Sequence, residues 1–251
     1  AMSIQQLLDK NFFIPSYQRG YRWSPQQIKD FLNDIKEFEP KTNELGEKSW
    51  YCLQPLVIKP MDANAKTTFN LDESKDWYEV IDGQQRLTTL FLVVHYINEM
   101  WKGKQKLVEF SLRYQTRANS ENFLKQLEVD EETDTVAIND QNIDFHFIST
   151  AYNTIHQWVM SFSDRLETLD TGEFESKLIR HTKVIWYETD SDSVEVFTRI
   201  NVGKIPLTNA ELIKALFLNN SNFADVKDKD KAKIKLKQLE IASEWDRIEY
   251  T

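Results

Sequence analysis

The sequence predicts an α+β protein, in which a small mixed sheet with helices over residues 1–127 is followed by a mostly helical portion over residues 128–251 that packs on it. Three observations favour this class. Several helices begin with recognisable caps, short apolar segments bounded by turn residues lie between them, and an acidic stretch at residues 128–140 divides the two portions. Apolar residues make up 41% of the chain and aromatic ones 12%, so it has enough bulk for a core and disorder is not expected.

Two helices of the first portion are predicted from their opening residues. Ser24 is an N-cap, Pro25 suits the first helical position, and Gln27 completes a capping box. The apolar stripe that follows at helical spacing is Ile28, Phe31, Leu32, Ile35 and Phe38. The other helix is predicted to start at Asp82, where an acidic residue and two glutamines resemble a capping box, and to run to about Trp101.

Further helices are predicted in the second portion. Residues 152–169 carry apolar side chains at helical spacing, and Thr208 opens a capping box with Glu211 ahead of another apolar stripe. Residues 227–237 contain six Lys and two Asp, and they are predicted to form an exposed helix start. This charge pattern is more typical of a solvated face than of a nucleic-acid contact.

Strands are predicted where short apolar segments end at turn or breaker residues. The segments are residues 56–58, 77–81, 108–114 and 183–188. Residues 12–14 are expected to be extended, because the residue before Pro15 avoids the helical region. Strands are fewer and shorter than helices, and the sheet is therefore expected to be small.

Charge, cysteine content and hydropathy exclude several classes of protein. The formal net charge is −9, so a broad duplex-binding surface is not expected. The single cysteine, Cys52, rules out an internal disulfide and a cysteine zinc site and favours a cytoplasmic location. The longest apolar run, residues 90–94, is far below the roughly 20 residues of a membrane-spanning helix, and no secretion signal is visible. Because Ala1 precedes Met2 and Thr251 ends the chain inside a predicted helix, we expect a piece of a longer protein.

The most informative segment joins a predicted strand to a predicted helix. Its sequence is Asp82-Gly83-Gln84-Gln85-Arg86. The helix start favours an anion, Gly83 lets a ligand approach the backbone, and Arg86 would add a forked contact to phosphate. Asp82 would repel phosphate unless it serves as an N-cap or as a direct or water-mediated ligand of Mg²⁺. From the residues alone, a purely structural role for these side chains stays open.

Two other polar segments are candidates for the same site. Residues 15–23 contain Arg19, Arg22 and three aromatic residues, which would hold phosphate and stack a base, or would anchor a loop through the aromatic side chains. The other segment, residues 197–204, precedes the Thr208 cap and would close over a ligand or form a polar turn between helices. Its polar residues are Asn201, Gly203 and Lys204.

Other chemistries have weaker support. No two of the four histidines have the helical spacing of a metal site, and His95 and His156 are expected to pack within helices. Residues 175–177 match the short end of a nuclease carboxylate–lysine motif, but so short a match is common by chance. No Ser or Cys nucleophile lies in a recognisable turn.

Four motifs stand out when the chain is taken as a whole. The first is Ile14-Pro15-x-Tyr17-Gln18-Arg19-x-Tyr21-x-Trp23. The second is Ile81-Asp82-Gly83-Gln84-Gln85-Arg86-Leu87-Thr88-Thr89-Leu90. The third is Phe197-x-x-Ile200-Asn201-x-Gly203-x-x-Leu207-Thr208-x-x-Glu211-Leu212-Ile213-Lys214, and the fourth is Tyr114-x-Thr116-Arg117-x-x-Ser120-x-x-Phe123-Leu124. Together they resemble the GmrSD-type restriction endonuclease N-terminal domain family, related to the ParB/sulfiredoxin-like fold, over most of residues 4–248.

The resemblance implies a nucleotide-binding domain, with NTP hydrolysis in some members, that takes part in modification-dependent restriction of phage DNA in bacteria. It implies Mg²⁺ and a nucleoside triphosphate as ligand or substrate, with Asp82 holding the metal and acting in catalysis with Gln84 and Gln85. The residues expected to contact the nucleotide are Tyr17, Gln18, Arg19, Gly83, Arg86, Thr88, Asn201 and Lys204. Members often carry a C-terminal HNH-type nuclease domain, whose histidine–asparagine–histidine arrangement is not visible in this sequence.

The expected partners are the nucleotide and, through the full-length protein, DNA. A homo-oligomer would add further copies of the chain, and no membrane partner is expected. Two alternatives stay open at this point. One is a non-catalytic module that binds DNA or a protein, and the less favoured one is a nuclease in its own right. A nucleotide titration with and without Mg²⁺ discriminates most directly between them.

Overall fold

A six-stranded mixed sheet forms the centre of the structure. This computed structural model describes residues 1–100, 106–164, 168–201, 217–218 and 231–249. The strands are β1 (Met2–Ser3), β2 (Asn11–Ile14), β3 (Tyr51–Pro60), β4 (Trp77–Asp82), β5 (Ser111–Tyr114) and β6 (Thr182–Glu188). They lie in the order β1-β6-β3-β4-β2-β5. The predicted combination of a mixed sheet with helices is confirmed.

Helices surround this sheet. Those with described bounds are α1 (Ile4–Leu7), α2 (Pro25–Glu37), α3 (Ala63–Thr68), α4 (Gln84–Met100), α5 (Ala118–Lys125), α6 (Ile143–Asp164), α7 (Thr171–Ser176), α8 (Ser193–Asn201) and α9 (Lys231–Glu249). A π-helical turn, Lys177–His181, follows α7 directly. Within the described ranges, none of the helices has both the length and the apolar composition that crossing a bilayer requires.

The strand pairing joins the two portions of the chain. β2 runs parallel to β4 and β5, whereas β3 runs antiparallel to β4. β6, from the second portion, lies parallel to β3, and β1 pairs antiparallel with the beginning of β6. The second portion therefore contributes a strand to the sheet as well as helices, and the division into residues 1–127 and 128–251 stays a prediction.

Side chains of β4 lie in three different apolar clusters. Val80 lies in the main core, which the sheet forms with α2, α4 and α6. Ile81 belongs to a second cluster with Tyr17 and Phe197, and Trp77 to a third. Because successive strand residues point to opposite faces, β4 is covered on both sides at the end that leads into α4.

α4 is a core helix. Residues 87–97 form an unbroken buried run, which is the pattern of a helix that is enclosed on nearly every side. α6 packs against both α4 and α2. The packing role expected for two histidines is confirmed: His95 bonds Glu109 and the Leu127 carbonyl, and His156 bonds the Tyr96 hydroxyl.

The predicted helices that fall on described residues are confirmed, with two corrected starts. The Ser24 capping box with Gln27 is present at the start of α2. α4 begins at Gln84 rather than at Asp82, because Asp82 is the last residue of β4. α6 begins at Ile143 rather than at residue 152, because Asn142 caps it by accepting a hydrogen bond from the Phe145 N–H at 2.9 Å.

Each of the five predicted strand segments coincides with a strand, but β5 begins at Ser111 rather than at residue 108. Among the described residues, only the two-residue β1 had no prediction. The acidic stretch 128–140 is mostly an exposed loop, as predicted, but Val129 and Val136 are buried in the main core. This loop is therefore held to the core rather than solvated along its whole length. The helix predicted from Thr208 lies outside the described residues except for 217–218. Of the lysine-rich stretch, residues 227–230 also lie outside them, whereas residues 231–237 lie in α9.

Candidate functional site

The strand–turn–helix at the end of β4 is built around one glycine. Gly83 has φ +104°, a conformation that L side chains rarely adopt. A Cβ atom at this position would also lie 2.8 Å from Leu56 Cδ1 on β3. The turn therefore requires glycine both for its backbone conformation and for the close approach of β3.

Gln84 is the first residue of α4, and its side chain is buried with a polar group left unpartnered. Its exposed fraction is 3%, and Nε2 has no hydrogen-bond partner among the described residues. Its Oε1 accepts a hydrogen bond from Gln85 Nε2 at 3.3 Å. A buried amide donor without an acceptor costs about 1–3 kcal/mol, so the sequence retains Gln84 at a stability disadvantage.

Gln85 joins α4 to the loop formed by residues 15–23. Its Oε1 accepts from the Arg22 backbone N–H at 2.8 Å, and its Nε2 donates to the Gly20 carbonyl at 2.9 Å. Both ends of the side-chain amide are therefore held by backbone groups of this loop. The structure gives Gln85 an anchoring role that its place in the motif did not reveal.

The same loop lies over the end of β4. Gln18 is buried, and its Nε2 donates to the carbonyls of Val80 and Ile81 at 3.2 and 2.7 Å. Arg19 follows as a partly buried residue. The loop thereby brings the first motif against the second, as the combination of motifs suggested.

Tyr17 is directed into the protein. Its ring packs against Phe197 with centroids 5.1 Å apart, and its hydroxyl donates to Glu79 Oε1 at 3.0 Å. Burial raises the pKa of Tyr17 well above its ordinary value. Because the ring is covered by Phe197, this arrangement favours an anchoring role over base stacking.

Arg86 is held by β3 and by Asp82. Nη1 donates to Gln54 Oε1 at 2.8 Å, Nη2 donates to the Pro55 carbonyl, and Nη2 lies 3.9 Å from Asp82 Oδ2. Burial lowers the pKa of the Arg86 guanidinium, and the Asp82 carboxylate opposes this shift. The Arg86 side chain is only 15% exposed, so most of it lies within the protein.

The other residues predicted to contact the nucleotide in the second and third motifs are Thr88, Asn201 and Lys204. Thr88 is fully buried, where its hydroxyl donates to the Gln84 carbonyl and lies 3.2 Å from the Tyr114 hydroxyl. Asn201 is the last residue of α8, and Lys204 lies outside the described residues. α8 packs against β4, so the third motif begins beside the other two.

Asp144, Arg22 and Arg117 form a buried ion cluster that contacts the loop of residues 15–23. No sequence pattern predicted this cluster. Asp144, at the start of α6, lies 2.6 Å from Arg22 Nη1 and 2.8 Å from Arg117 Nε. Arg117 Nη1 also donates to the Gln18 carbonyl at 3.1 Å. Arg117 belongs to the fourth motif, but no local pattern marks Asp144.

Asp82 is the residue in this region that suits Mg²⁺. Among the residues that the structure describes, no three His, Cys, Asp or Glu side chains are grouped to hold a metal ion. Mg²⁺ is commonly bound through one or two carboxylates together with waters and substrate phosphates, so a single Asp82 fits that chemistry. Two surface cavities of about 610 and 430 Å³ lie elsewhere and are not lined by this turn.

Comparison with known proteins identifies the family. No curated protein matches the chain. The family model described as the GmrSD restriction endonuclease, N-terminal domain, matches residues 4–218, and this range contains α1 to α8 and the turn after β4. The chain therefore belongs to the GmrSD restriction endonuclease N-terminal domain family.

Proposed function

We propose that this domain binds a nucleoside triphosphate with Mg²⁺ at the turn between β4 and α4, and that binding and hydrolysis regulate a restriction or anti-phage protein. The observation that carries the proposal is the buried, unpartnered Nε2 of Gln84 at the start of a 17-residue helix. A phosphate oxygen would satisfy this donor together with the first N–H groups of the helix, which have no intrahelical acceptors.

Two arginines supply positive charge in this proposal. Arg86 is already oriented by β3 and by Asp82, so binding would require little further ordering of its side chain. Its guanidinium offers more N–H donors than those two β3 contacts use. Arg19 would support the polyphosphate from the loop, where Gln18 fixes the backbone before it.

Asp82 would hold Mg²⁺, and a glutamine would orient the attacking water. A neutral amide can position a nucleophile without competing for the metal, as in other phosphoryl-transfer sites. Of the two glutamines, Gln84 suits this role better, because both ends of the Gln85 amide are bound to the loop backbone. Gln85, Gln18 and Tyr17 would then shape the site without touching the reacting atoms.

The wider proposal follows the family. It includes the ParB/sulfiredoxin-like arrangement of the sheet, a cytoplasmic location, contact with DNA through the full-length protein, and assembly with further copies of the chain. A non-catalytic DNA- or protein-binding module is the second candidate, favoured by the number of motif side chains whose polar groups are bound within the protein. The two candidates differ in whether Mg²⁺ and a nucleotide bind together.

Asp82→Asn is expected to abolish the Mg²⁺-dependent part of nucleotide binding while the protein stays folded. Asn has nearly the same shape but no charge, so it loses metal affinity and the 3.9 Å contact with Arg86. At 3.9 Å that contact is long for an ion pair, so its loss should change the free energy of unfolding by about 1 kcal/mol. The measurement is a titration of wild type and variant with a fluorescent nucleotide, with and without Mg²⁺, beside a urea unfolding curve.

Asp62→Asn is the matched control. Asp62 caps α3 by accepting from the Ala65 N–H at 2.7 Å, and it belongs to none of the motifs. The control should bind nucleotide with Mg²⁺ as the wild type does. Full Mg²⁺-dependent binding or hydrolysis by Asp82→Asn would remove the metal assignment, and absence of nucleotide binding by the wild type would favour the non-catalytic module.

A further inference from the structure

Glu79 connects three separate parts of the fold. It lies on β4, three residues before Asp82, and its side chain is partly buried. Oε1 accepts a hydrogen bond from the Tyr17 hydroxyl at 3.0 Å, and Oε2 accepts one from the Ser193 hydroxyl at 3.1 Å. One carboxylate therefore binds the loop of residues 15–23 through one oxygen and the first residue of α8 through the other.

The start of α8 is fixed at further points beside Glu79. Asp192 Oδ1 accepts from the backbone N–H groups of Val194 and Glu195, and Lys59 Nζ, from β3, donates to the Ser191 carbonyl at 3.0 Å. The charged groups that face Glu79 are Lys59 and Asp192, which act on its carboxylate with opposite signs. The helix start is thus tied to β3 and β4 by polar contacts with defined geometry.

Apolar packing holds α8 on the same surface but fixes its position less strictly. Phe197 is buried against Tyr17, and Val57 and Ile81 complete the contact. Apolar contacts are non-directional, whereas hydrogen bonds to both oxygens of one carboxylate specify an angle and a register. Burial raises the pKa of Glu79, so the charged form is costly here, and an apolar residue would bind α8 at lower cost.

We propose that Glu79 is a positioning residue, which sets where α8 lies and thereby places Asn201, at the end of that helix, relative to the turn after β4. The part that concerns the nucleotide rests on the function proposed above. Glu79 itself does not touch the ligand in this proposal. Its effect passes through Tyr17 on the loop and Ser193 on α8.

Ser193→Ala is the mildest test, because it removes only the α8 bond to Glu79. We expect hydrogen exchange in α8 to become about tenfold faster, which corresponds to about 1.4 kcal/mol of local stability, while exchange in α4 stays within twofold of the wild type. Glu79→Ala should have a larger effect in α8. Glu79→Gln should have a smaller one, because its amide still accepts from Tyr17 and still bonds the Ser193 hydroxyl.

Two further variants separate positioning from general stability. Ser193→Thr keeps the hydroxyl and should restore slow exchange in α8. Glu195→Gln removes the exposed carboxylate that pairs with Arg199 along the same helix, so it should speed exchange in α8 by no more than about twofold. If Glu79→Ala fails to fold, the comparison of Ser193→Ala with Ser193→Thr tests the positioning role by itself.

Unchanged exchange in α8 of Ser193→Ala, or an equal increase in α4 and α8, would overturn the positioning role. These measurements need no nucleotide, so they stand even if the wild type binds none and the proposed function fails. Where the wild type does bind nucleotide, Ser193→Ala should bind it at least threefold more weakly and Ser193→Thr should bind it normally. Equal affinity in Ser193→Ala, with faster exchange in α8, would show that α8 is docked by Glu79 but does not serve the site.

Discussion

Gly20→Ala is expected to destabilise the folded protein by about 3 kcal/mol or more. A Cβ atom at this position would lie 1.8 Å from Asp144 Oδ1 and 2.8 Å from Asp144 Cγ, which no real structure tolerates. Asp144 would have to leave its place between Arg22 and Arg117, and the loop that carries Gln18 and Arg19 would lose its support. Urea unfolding followed by tryptophan fluorescence measures the change.

Gly46→Ala is the control for this substitution. Gly46 has φ +78°, and nothing lies within 4 Å of an added Cβ atom. Only backbone strain should act there, at a cost of about 1–2 kcal/mol. A Gly20 variant no less stable than the Gly46 variant would contradict the tight packing of Gly20 against Asp144.

Asp144→Ala is expected to cost about 3–5 kcal/mol, because it leaves two largely buried guanidinium groups without the carboxylate they share. An exposed carboxylate such as Asp62, changed to Ala, should cost about 1 kcal/mol through its helix cap alone. Comparable losses from Asp144→Ala and Asp62→Ala would show that the ion cluster contributes little.

The two substitutions should also be strongly coupled. In a chain that already carries Asp144→Ala, adding Gly20→Ala should cost far less than it does in the wild type, because the carboxylate that clashes is gone. The contact that remains is to Arg22 Nη1 at 2.7 Å, the mobile end of a long side chain. Additive losses would mean that Gly20 acts through something other than Asp144.

These predictions concern a part of the site that the sequence could not reveal. Local patterns predicted α2 correctly, because the bonds of the Ser24–Gln27 capping box span three residues. Arg22 and Asp144 are 122 residues apart, and neither periodicity nor a cap relates them. Pairings of this kind are set by how the loop, α5 and α6 meet, and they become visible only in the folded chain.

In the motif after β4, features that depend on neighbouring residues could also be predicted, whereas contacts with residues distant in the sequence could not. Its glycine, its helix and its amide side chains could be read directly from residues 82–86, and the structure places the turn where the sequence predicted it. The roles of individual side chains depended on distant partners. Gln85 is bound by a loop 63–65 residues earlier, and Glu79 lay in a predicted strand with nothing to distinguish it from an ordinary exposed carboxylate.

The central claim, that a nucleoside triphosphate binds at the turn between β4 and α4, can be tested at Gly83 itself. The chain has only six glycines, so selective ¹⁵N-glycine labelling gives an amide spectrum simple enough to follow during a titration with ATP and Mg²⁺. We predict that the Gly83 amide signal shifts saturably, more strongly with Mg²⁺ than without it, while the signals of Gly46 and Gly172 stay in place. A Gly83 signal that does not move at saturating nucleotide, or that moves no more than that of Gly46, would contradict nucleotide binding at this turn.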